Sequence, residues 1–285
     1  MNSAPSKALV GVSTAVMSKS SQIEDLLWYE PDLIEIYNFS SGQVAGLCKM
    51  TSRHDIFVAL HTPTPFDDPN PLRRYCPTGP NSEEAVVARR LVTQTVAHAE
   101  AIGALHVVVH YPSPYPPFVQ GALDYFGPPF LEHLENLVAR HGVPILIENL
   151  SAHPWLRRPE HYAAVMERHP ELGFCLDLGH AHLMPPPTGP ESYAEALGRR
   201  VRSMHVYNTT PDRYPRYGHE MAGDHQLSAD GYMDLGTVLH QLLRACSPRT
   251  LVLEHGGPVT PYAAKVCGEW MRRIIESGGG KQNGG

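Results

Sequence analysis

Residues 173–182 have the sequence GFCLDLGHAH, in which a short apolar run ends in Asp177 and His180 follows three residues later. A run of four to eight residues rich in Val, Ile and Leu, without polar alternation, is typical of a strand buried on both faces. Parallel sheets contain such strands because helices cover them. This stretch therefore predicts a parallel-sheet protein and places two chemically active side chains directly after a strand.

The same pattern occurs eight times along the chain. The predicted strands are Ala8–Ser13, Leu33–Tyr37, Ile56–His61, Leu105–His110, Pro144–Glu148, Gly173–Asp177, Ser203–Tyr207 and Thr250–Glu254. The clearest helices between and after them are predicted at Ser82–Ile102, Phe130–Arg140, Gly231–Cys246 and Pro261–Ser277. Those after strands two, five and six are expected to be shorter. Eight strands alternating with helices predict an α/β fold, a single (β/α)8 TIM barrel.

A doubly wound open sheet is the alternative for alternating strands and helices. The segment at the first strand end, GVSTAV (11–16), lacks the GxGxxG pattern of a dinucleotide-binding turn. The length of 285 residues suits one barrel, which commonly takes about 250 residues. We expect a barrel domain over residues 1–277 and a disordered Gly-rich tail over 278–285.

Composition narrows the classes of partner. The chain has 23 Lys and Arg against 29 Asp and Glu, a net charge of −6, which argues against nucleic acid as the main partner. No apolar run approaches the roughly 20 residues that span a bilayer, and the N-terminal sequence lacks a secretory signal pattern. The five cysteines form no CxxC pair, which fits a reducing, cytoplasmic location.

The strand ends carry the candidate chemistry, because the active site of a (β/α)8 barrel lies at the C-terminal ends of its strands. Six of the eight predicted strands end in or beside an imidazole or a carboxylate. These residues are His61, His110, Glu148, Asp177, His180, His205 and Glu254. Charged groups directly after buried runs are costly unless they share a partner, and a divalent ion is the economical one. Mixed carboxylates and imidazoles suit Zn²⁺, Mn²⁺, Co²⁺ or Fe²⁺ better than Ca²⁺.

Other residues are weaker candidates for the same role. A lone histidine is more often a hydrogen-bonded structural residue, and His98 and His106 are interpreted in that way. Glu35, within strand two, is either a polar wall residue or a structural ion-pair partner. The sequence has no GxSxG elbow for a serine nucleophile and no P-loop. The segment Tyr111–Phe118 (YPSPYPPF) is interpreted as a rigid aromatic wall of the pocket.

Seven short motifs occur in a fixed order along the chain. They are LHTP (60–63), VVVHYP (107–112), LIENL (146–150), CLDLGHAH (175–182), MHVYN (204–208), GDHQL (223–227) and LVLEHG (251–256). Together they resemble the xylose isomerase-like barrel superfamily, which contains sugar isomerases and epimerases as well as endonuclease IV-type AP endonucleases. The resemblance extends from Val10 to about Ile275. It implies the barrel fold and a metal site, and it does not specify the reaction.

By this resemblance, four residues match the metal site of the ketose epimerases: Glu148, Asp177, His205 and Glu254. Glu148 and Glu254 would also act as acid and base on opposite faces of the substrate. His61 and His110 match additional ligands of the AP endonuclease type, in which the glutamate of strand five bridges two metals.

A third metal of the AP endonuclease type would use His180 and His225. The remaining ligand of that site is an Asp two residues before His225, and this chain has Gly223 there. Asp224, His182 or His219 are the available substitutes. The resemblance therefore implies one to three divalent ions per chain.

Three functions follow as hypotheses. The first is a metal-dependent isomerase or epimerase of a small sugar, polyol or sugar phosphate, acting through an enediolate. The second is a multi-metal phosphoesterase that cleaves a nucleotide-like or cofactor phosphodiester, such as a cobamide nucleotide loop, with abasic-site DNA less favoured. The third is a ligand-binding barrel without catalysis, which the glutamate pair disfavours. The first is slightly preferred.

A small-molecule substrate is the expected partner under all three hypotheses, and barrels of this type commonly form homodimers. Loops 62–81, 111–120 and 208–230 are expected to shape the pocket. The candidate substrate contacts are Glu35, Tyr111, Asn149, Arg157 and His182.

Overall fold

Eight parallel strands pair in chain order and close into a barrel, with β8 beside β1. The computed structural model describes residues 7–67, 75–257 and 259–278. The strands are β1 (Leu9–Ser13), β2 (Leu33–Tyr37), β3 (Phe57–His61), β4 (Val107–His110), β5 (Ile145–Glu148), β6 (Gly173–Asp177), β7 (Val201–Val206) and β8 (Thr250–Leu253). The predicted (β/α)8 fold is confirmed, and the open sheet is excluded.

Helices connect the strands. They are α1 (Ser41–His54), α2 (Ser82–Ile102), α3 (Gln120–His141), α4 (Pro159–Arg168), α5 (Leu178–His182), α6 (Pro190–Leu197), α7 (Tyr214–Tyr217), α8 (Leu235–Cys246) and α9 (Pro261–Gly278). Short 3₁₀ segments supplement them, including Ile23–Tyr29 between β1 and β2. Among the described residues, no helix has the length and apolar character needed to cross a membrane.

The inside of the barrel is layered. Val108, Leu146 and Cys175, from three consecutive strands, form a small apolar cluster separate from the main core. Each lies two residues before the polar residue that ends its strand, and residues two apart point to the same face. An apolar layer therefore lies directly beneath the polar side chains at the C-terminal ends of the strands.

The helix predictions differ in accuracy. Helix α2 has the predicted bounds, but α3 begins ten residues before the predicted Phe130 and continues through Pro128 and Pro129. Prolines inside a helix are normally unfavourable, yet the segment before them is helical and buries Ala122 and Gly127.

Two further helices depart from the expectations. Helix α1 spans 14 residues rather than being short. Helix α8 starts at Leu235 instead of Gly231, because the Asp234 side chain accepts a hydrogen bond from the Thr237 amide and caps it. Gly278 is the last residue of α9, and the rest of the predicted tail lies outside the described residues.

Helix α9 packs against the 3₁₀ segment Ile23–Tyr29 at a glycine. A Cβ atom on Gly268 would lie 2.3 Å from the carbonyl oxygen of Tyr29, which is backbone and has little freedom to move. By contrast, a Cβ on Gly46 of α1 would make only an ordinary contact, 3.8 Å from Ile23.

We expect Gly268→Ala to lower the free energy of unfolding by about 2 kcal/mol, because the added methyl overpacks the contact with Tyr29. The matched variant Gly46→Ala should leave stability unchanged or raise it by up to about 1 kcal/mol through helix propensity. Urea denaturation followed by circular dichroism measures both changes. Equal midpoints for the two variants would contradict this packing argument.

Candidate metal centre

Parallel pairing brings the predicted strand-end residues to one rim. His61, His110, Glu148 and Asp177 are the last residues of β3, β4, β5 and β6. In the strand register His110 lies beside Glu148, and Asp177 lies beside His205. Glu254 directly follows β8. Each side chain thus extends from a rigid strand rather than from a flexible loop.

Four of these residues form one compact group. Glu148, Asp177, His205 and Glu254 are buried, and each offers a potential ligand atom within 4.8 Å of those of the others. The Nδ1 atom of His205 lies 3.1 Å from Glu254 Oε2 and 3.4 Å from Glu148 Oε1. Three carboxylates and one imidazole at such spacing are a ligand set for a divalent ion.

The hydrogen bonding of His205 bears on this assignment. Burial would lower its pKa, but Cys175 and the facing glutamates raise that pKa well above its usual value, so a proton on Nδ1 and a bound cation compete for one position. The Nε2–H of His205 donates a hydrogen bond to Glu35 Oε1 at 2.9 Å, so in the neutral ring Nδ1 carries a lone pair. That Nδ1 is buried and has no hydrogen-bond partner, although carboxylate oxygens face it. Acceptors that face one another in a buried site need a proton or a metal ion between them. The residues therefore fit a bound cation, with His205 coordinating through Nδ1.

A second group shares Glu148. The Nδ1–H of His61 donates to the carbonyl oxygen of Thr62 at 3.0 Å, and its Nε2 lies 2.9 Å from Glu148 Oε2. The Nε2 of His110 lies 3.1 Å from the same oxygen. His61, His110 and Glu148 thus offer a second set of ligand atoms within 4.8 Å of one another. Glu148 could contribute one oxygen to each group.

The charges in the site influence one another. Burial would raise the pKa of Glu148, but His110 and His205 hold it well below its usual value. Burial likewise would raise the pKa of Glu254, and His205 lowers it. For Asp177 burial prevails, and the pKa is raised despite the nearby His180. Both glutamates are therefore ionised at neutral pH, which favours a bound cation.

His180 extends from α5 beside the four-residue group. Its Nδ1–H donates to the carbonyl oxygen of Asn149 at 3.0 Å, and its Nε2 lies 3.3 Å from the Tyr214 hydroxyl. Asn149 is a structural link, because its amide donates to the Asp177 carbonyl and accepts the Asp177 N–H. His180 lines the cavity above the site but belongs to neither ligand group.

The structure does not bring the predicted third metal site together. His225 is exposed and belongs to none of the ligand groups found in the described part of the chain. The adjacent Asp224 accepts a hydrogen bond from Trp270 at 2.7 Å and pairs with Arg273 at 3.6 Å, so it is engaged with α9. Without the aspartate expected at position 223, this loop leaves His225 in solvent.

A cavity of about 300 Å³ opens above the ligand groups. Tyr115 from loop 111–120 and Tyr214 and His219 from loop 208–230 line it, as expected for those loops. The described residues of loop 62–81 do not, and residues 68–74 lie outside the described part. Tyr37 at the end of β2 also lines the cavity. Sequence reasoning missed it, although its position at a predicted strand end was the available signal.

His219, which the sequence suggested only as a substitute ligand, lines the cavity. Its ring stacks on Tyr207 with ring centres 3.7 Å apart, and its Nδ1–H donates to the Glu254 carbonyl at 3.0 Å. The side chain therefore faces the cavity beside Glu254 and is held on two sides.

None of the five predicted substrate contacts lines this cavity. Glu35 is fully buried behind His205, and Tyr111 stacks on Phe130 of α3. His182 binds the Gly231 carbonyl through its Nε2–H. Arg157 belongs, like Asn149, to the structural surroundings, since its carbonyl accepts a hydrogen bond from Tyr193. Tyr111 and Asn149 directly follow strand ends, yet their side chains contact the surrounding structure and do not line the cavity.

Comparison with known proteins confirms the family predicted from the motifs. A model of the xylose isomerase-like TIM barrel family matches residues 23–274, and the chain belongs to this family. No curated protein matches the sequence significantly.

Solved structures share the fold at low sequence identity. A D-tagatose 3-epimerase-like protein is 19% identical, with a TM-score of 0.70 over 94% of this chain and 97% of its own. An L-ribulose 3-epimerase is 13% identical, with a TM-score of 0.71 over 95% of each chain. Endonuclease IV from Thermus thermophilus is 16% identical, with a TM-score of 0.58 over 95% of this chain and 98% of its own.

We expect Glu35→Gln to weaken Mn²⁺ or Co²⁺ binding by about 10- to 100-fold, because the ring of His205 loses the carboxylate that fixes its tautomer. Isothermal titration calorimetry measures the affinity, and the exposed Glu24→Gln serves as control. Unchanged affinity in Glu35→Gln would show that His205 is held in place without this bond.

We expect His225→Ala to keep the full metal content of the purified protein, because its exposed side chain lies outside the ligand groups. His205→Ala should lose bound metal, since it removes a buried ligand. Elemental mass spectrometry of both variants measures the content. A loss of metal in His225→Ala would show that His225 is a ligand and that the protein has the third metal site after all.

Proposed function

We propose that this protein is a divalent-metal-dependent isomerase or epimerase that acts on a small sugar through an enediolate. The observation that carries the proposal is the pair Glu148 and Glu254, whose carboxylates both lie within 3.4 Å of His205 Nδ1 beneath one cavity. Carbon-acid chemistry needs a base to remove the α-proton and an acid to return one. A ligand-binding protein has no need of two such groups.

Asp177 and His205 would hold the ion together with the two glutamates. When bound, the ion supplies Lewis acidity to adjacent hydroxyl and carbonyl oxygens of a ketose. Glu148 would remove the proton next to the carbonyl, and Glu254 would return a proton to the same carbon or to its neighbour. Removal of the C3 proton of a ketose and return of a proton to C3 on the opposite face inverts that carbon. Removal of a C1 proton and return of a proton to C2, with the hydroxyl proton of O1 passing to O2, converts the ketose to an aldose.

The cavity favours an uncharged substrate over a sugar phosphate. Within the described part of the chain its lining contains no Lys or Arg, and Arg213, on the nearby loop, is engaged by Glu220 at 2.7 Å. Tyr37, Tyr115 and Tyr214 offer hydroxyls and ring faces, which suit the hydroxyls and C–H faces of a sugar. The named 3-epimerases among the structures of similar fold support the same class of reaction.

We expect Glu148→Gln to abolish exchange of the substrate α-hydrogen, because the amide cannot take up the proton, while the melting temperature stays near that of the parent. The assay follows a panel of free ketoses and their phosphates in D₂O by proton NMR, with Mn²⁺ or Co²⁺ present. The exposed Glu132→Gln is the matched control. Near-normal exchange in Glu148→Gln would contradict the assignment.

A second candidate function rests on the shared carboxylate. Because Glu148 lies between two ligand groups, the site could hold two ions, and paired ions clamp the oxygens of a phosphodiester during in-line cleavage. Under this alternative the substrate is a nucleotide-like or cofactor phosphodiester.

We expect His110→Ala to reduce ketose turnover less than tenfold and to keep one tightly bound ion, since His110 is not a member of the four-residue group, although it contacts the shared Glu148. Metal content and turnover are measured on the same preparation, with hydrolysis of bis(4-nitrophenyl) phosphate assayed in parallel. Loss of one of two ions together with phosphodiester hydrolysis would favour the phosphoesterase.

A further inference from the structure

We propose that a cavity at the N-terminal end of the barrel, opposite the metal centre, binds a small organic phosphate through Arg200, Arg202 and Arg249. This cavity has a volume of about 270 Å³. Its walls come from the residues that enter the strands, such as Leu105 before β4 and Gly173 at the start of β6. It is therefore separate from the cavity above Glu148, which lies at the C-terminal strand ends.

Strand pairing positions the three arginines. Arg200 immediately precedes β7, Arg202 is its second residue, and Arg249 immediately precedes β8. The amide of Arg249 donates to the Arg202 carbonyl at 2.8 Å, which places the two side chains on adjacent strand starts. The Arg200 guanidinium donates to the carbonyl of Pro170, which also lines the cavity. The positive charges are thus gathered by the barrel itself.

These charges lack local compensation. In the described part of the chain, no carboxylate lies within ion-pair distance of any of the three arginines, and Glu171 is the only acid in the lining. The chain as a whole carries a net charge of −6, so this concentration of cations is a local feature. Arg202 and Arg249 are exposed, so an anion could reach all three charges without displacing an existing ion pair. Guanidinium groups match the oxygen geometry of phosphate through paired hydrogen bonds.

The apolar residues that line the cavity indicate what kind of organic group carries the phosphate. Leu105, Val138, Leu146 and Leu172 form an apolar wall next to the arginines. Ligand pockets typically combine apolar walls with a few convergent polar groups, and this volume lies just below their usual range, which begins at about 300 Å³. The cavity therefore suits a phosphate carried on a small apolar body, rather than a free inorganic ion alone.

The inner end of the cavity contains a buried polar group without a hydrogen bond. His106 lines the cavity and is 3% exposed, and its Nε2 has no hydrogen-bond partner. This atom lies 3.5 Å from Glu35 Oε2, and Glu35 in turn accepts the Nε2–H of His205. A ligand in the cavity would contact His106, which is linked through Glu35 to His205 of the candidate metal centre. Binding at this cavity could therefore influence that centre.

The test uses the metal-loaded protein and phenylphosphonate, an aryl phosphonate whose P–C bond resists hydrolysis by the phosphoesterase alternative. Titration calorimetry at low salt should give one binding site. We expect Arg202→Gln and Arg249→Gln each to weaken binding by about tenfold, through loss of a charge-assisted hydrogen bond. Arg244→Gln, which replaces an exposed arginine of α8 outside the cavity, should bind with the parent affinity.

Two results would overturn the proposal. The first is the absence of binding to the parent protein at millimolar phosphonate. The second is binding of parent strength in both arginine variants, which would locate the probe at the metal centre instead. Glu148→Gln should retain phosphonate binding, because it alters only the other end of the barrel. Phosphonate binding is therefore independent of the proposed isomerase function. If the phosphate site is wrong, the isomerase proposal is unaffected, and the reverse also holds.

Discussion

The side chain of Glu148 is the contact on which the rest of the site depends. Its two oxygens lie 2.9 Å from His61, 3.1 Å from His110, 3.4 Å from His205 and 3.9 Å from His180, in surroundings almost free of solvent. A buried carboxylate among imidazoles is stable only if protons or cations balance its charge. The surrounding histidines can hold some of these protons, because burial would lower the pKa of His61 but Glu148 raises it above its usual value. A bound divalent ion would balance the same charge.

The layers of the barrel explain how such a group is tolerated. An apolar cluster lies under the ligands, helices surround the strands, and the strands are short and parallel. The polar side chains are therefore fixed from below and from the side, and only the cavity side is open. Glu35 is the exception, a fully buried carboxylate within the barrel, and it is balanced by His205 above and His106 beyond. This chain of three polar residues connects the two ends of the barrel.

Glu148 also connects the proposed function with its alternative. It belongs to two ligand groups: one bound ion would serve proton transfer on a sugar, and two would serve cleavage of a phosphodiester. The cavity above contributes aromatic rings and, from the described residues, no Lys or Arg. That environment suits a neutral polyhydroxylated molecule better than a polyanion, and it carries the preference for the isomerase.

Much of the fold and the metal site could be predicted from the sequence, because both depend on local patterns. Short apolar runs that end in Asp or Glu specify buried parallel strands, and barrel closure then brings the ends of consecutive strands to one rim. The close approach of Glu148, Asp177, His205 and Glu254 was predictable for this reason. Helix α3 was not, since Pro128 and Pro129 break the local signal while packing on the barrel maintains the helix.

Side-chain direction was decided only by the tertiary structure. Tyr111 and His182 follow strand-end residues closely in sequence, yet their side chains contact other parts of the chain and do not line the cavity. The exposed His225 lies on a loop whose neighbouring residue Asp224 is bound to Trp270. Tyr37 and His219 line the cavity because of contacts with residues far away in sequence. Periodicity encodes which residues are buried in a strand and where the strand ends. The direction of a loop side chain depends on long-range packing, which no local pattern contains.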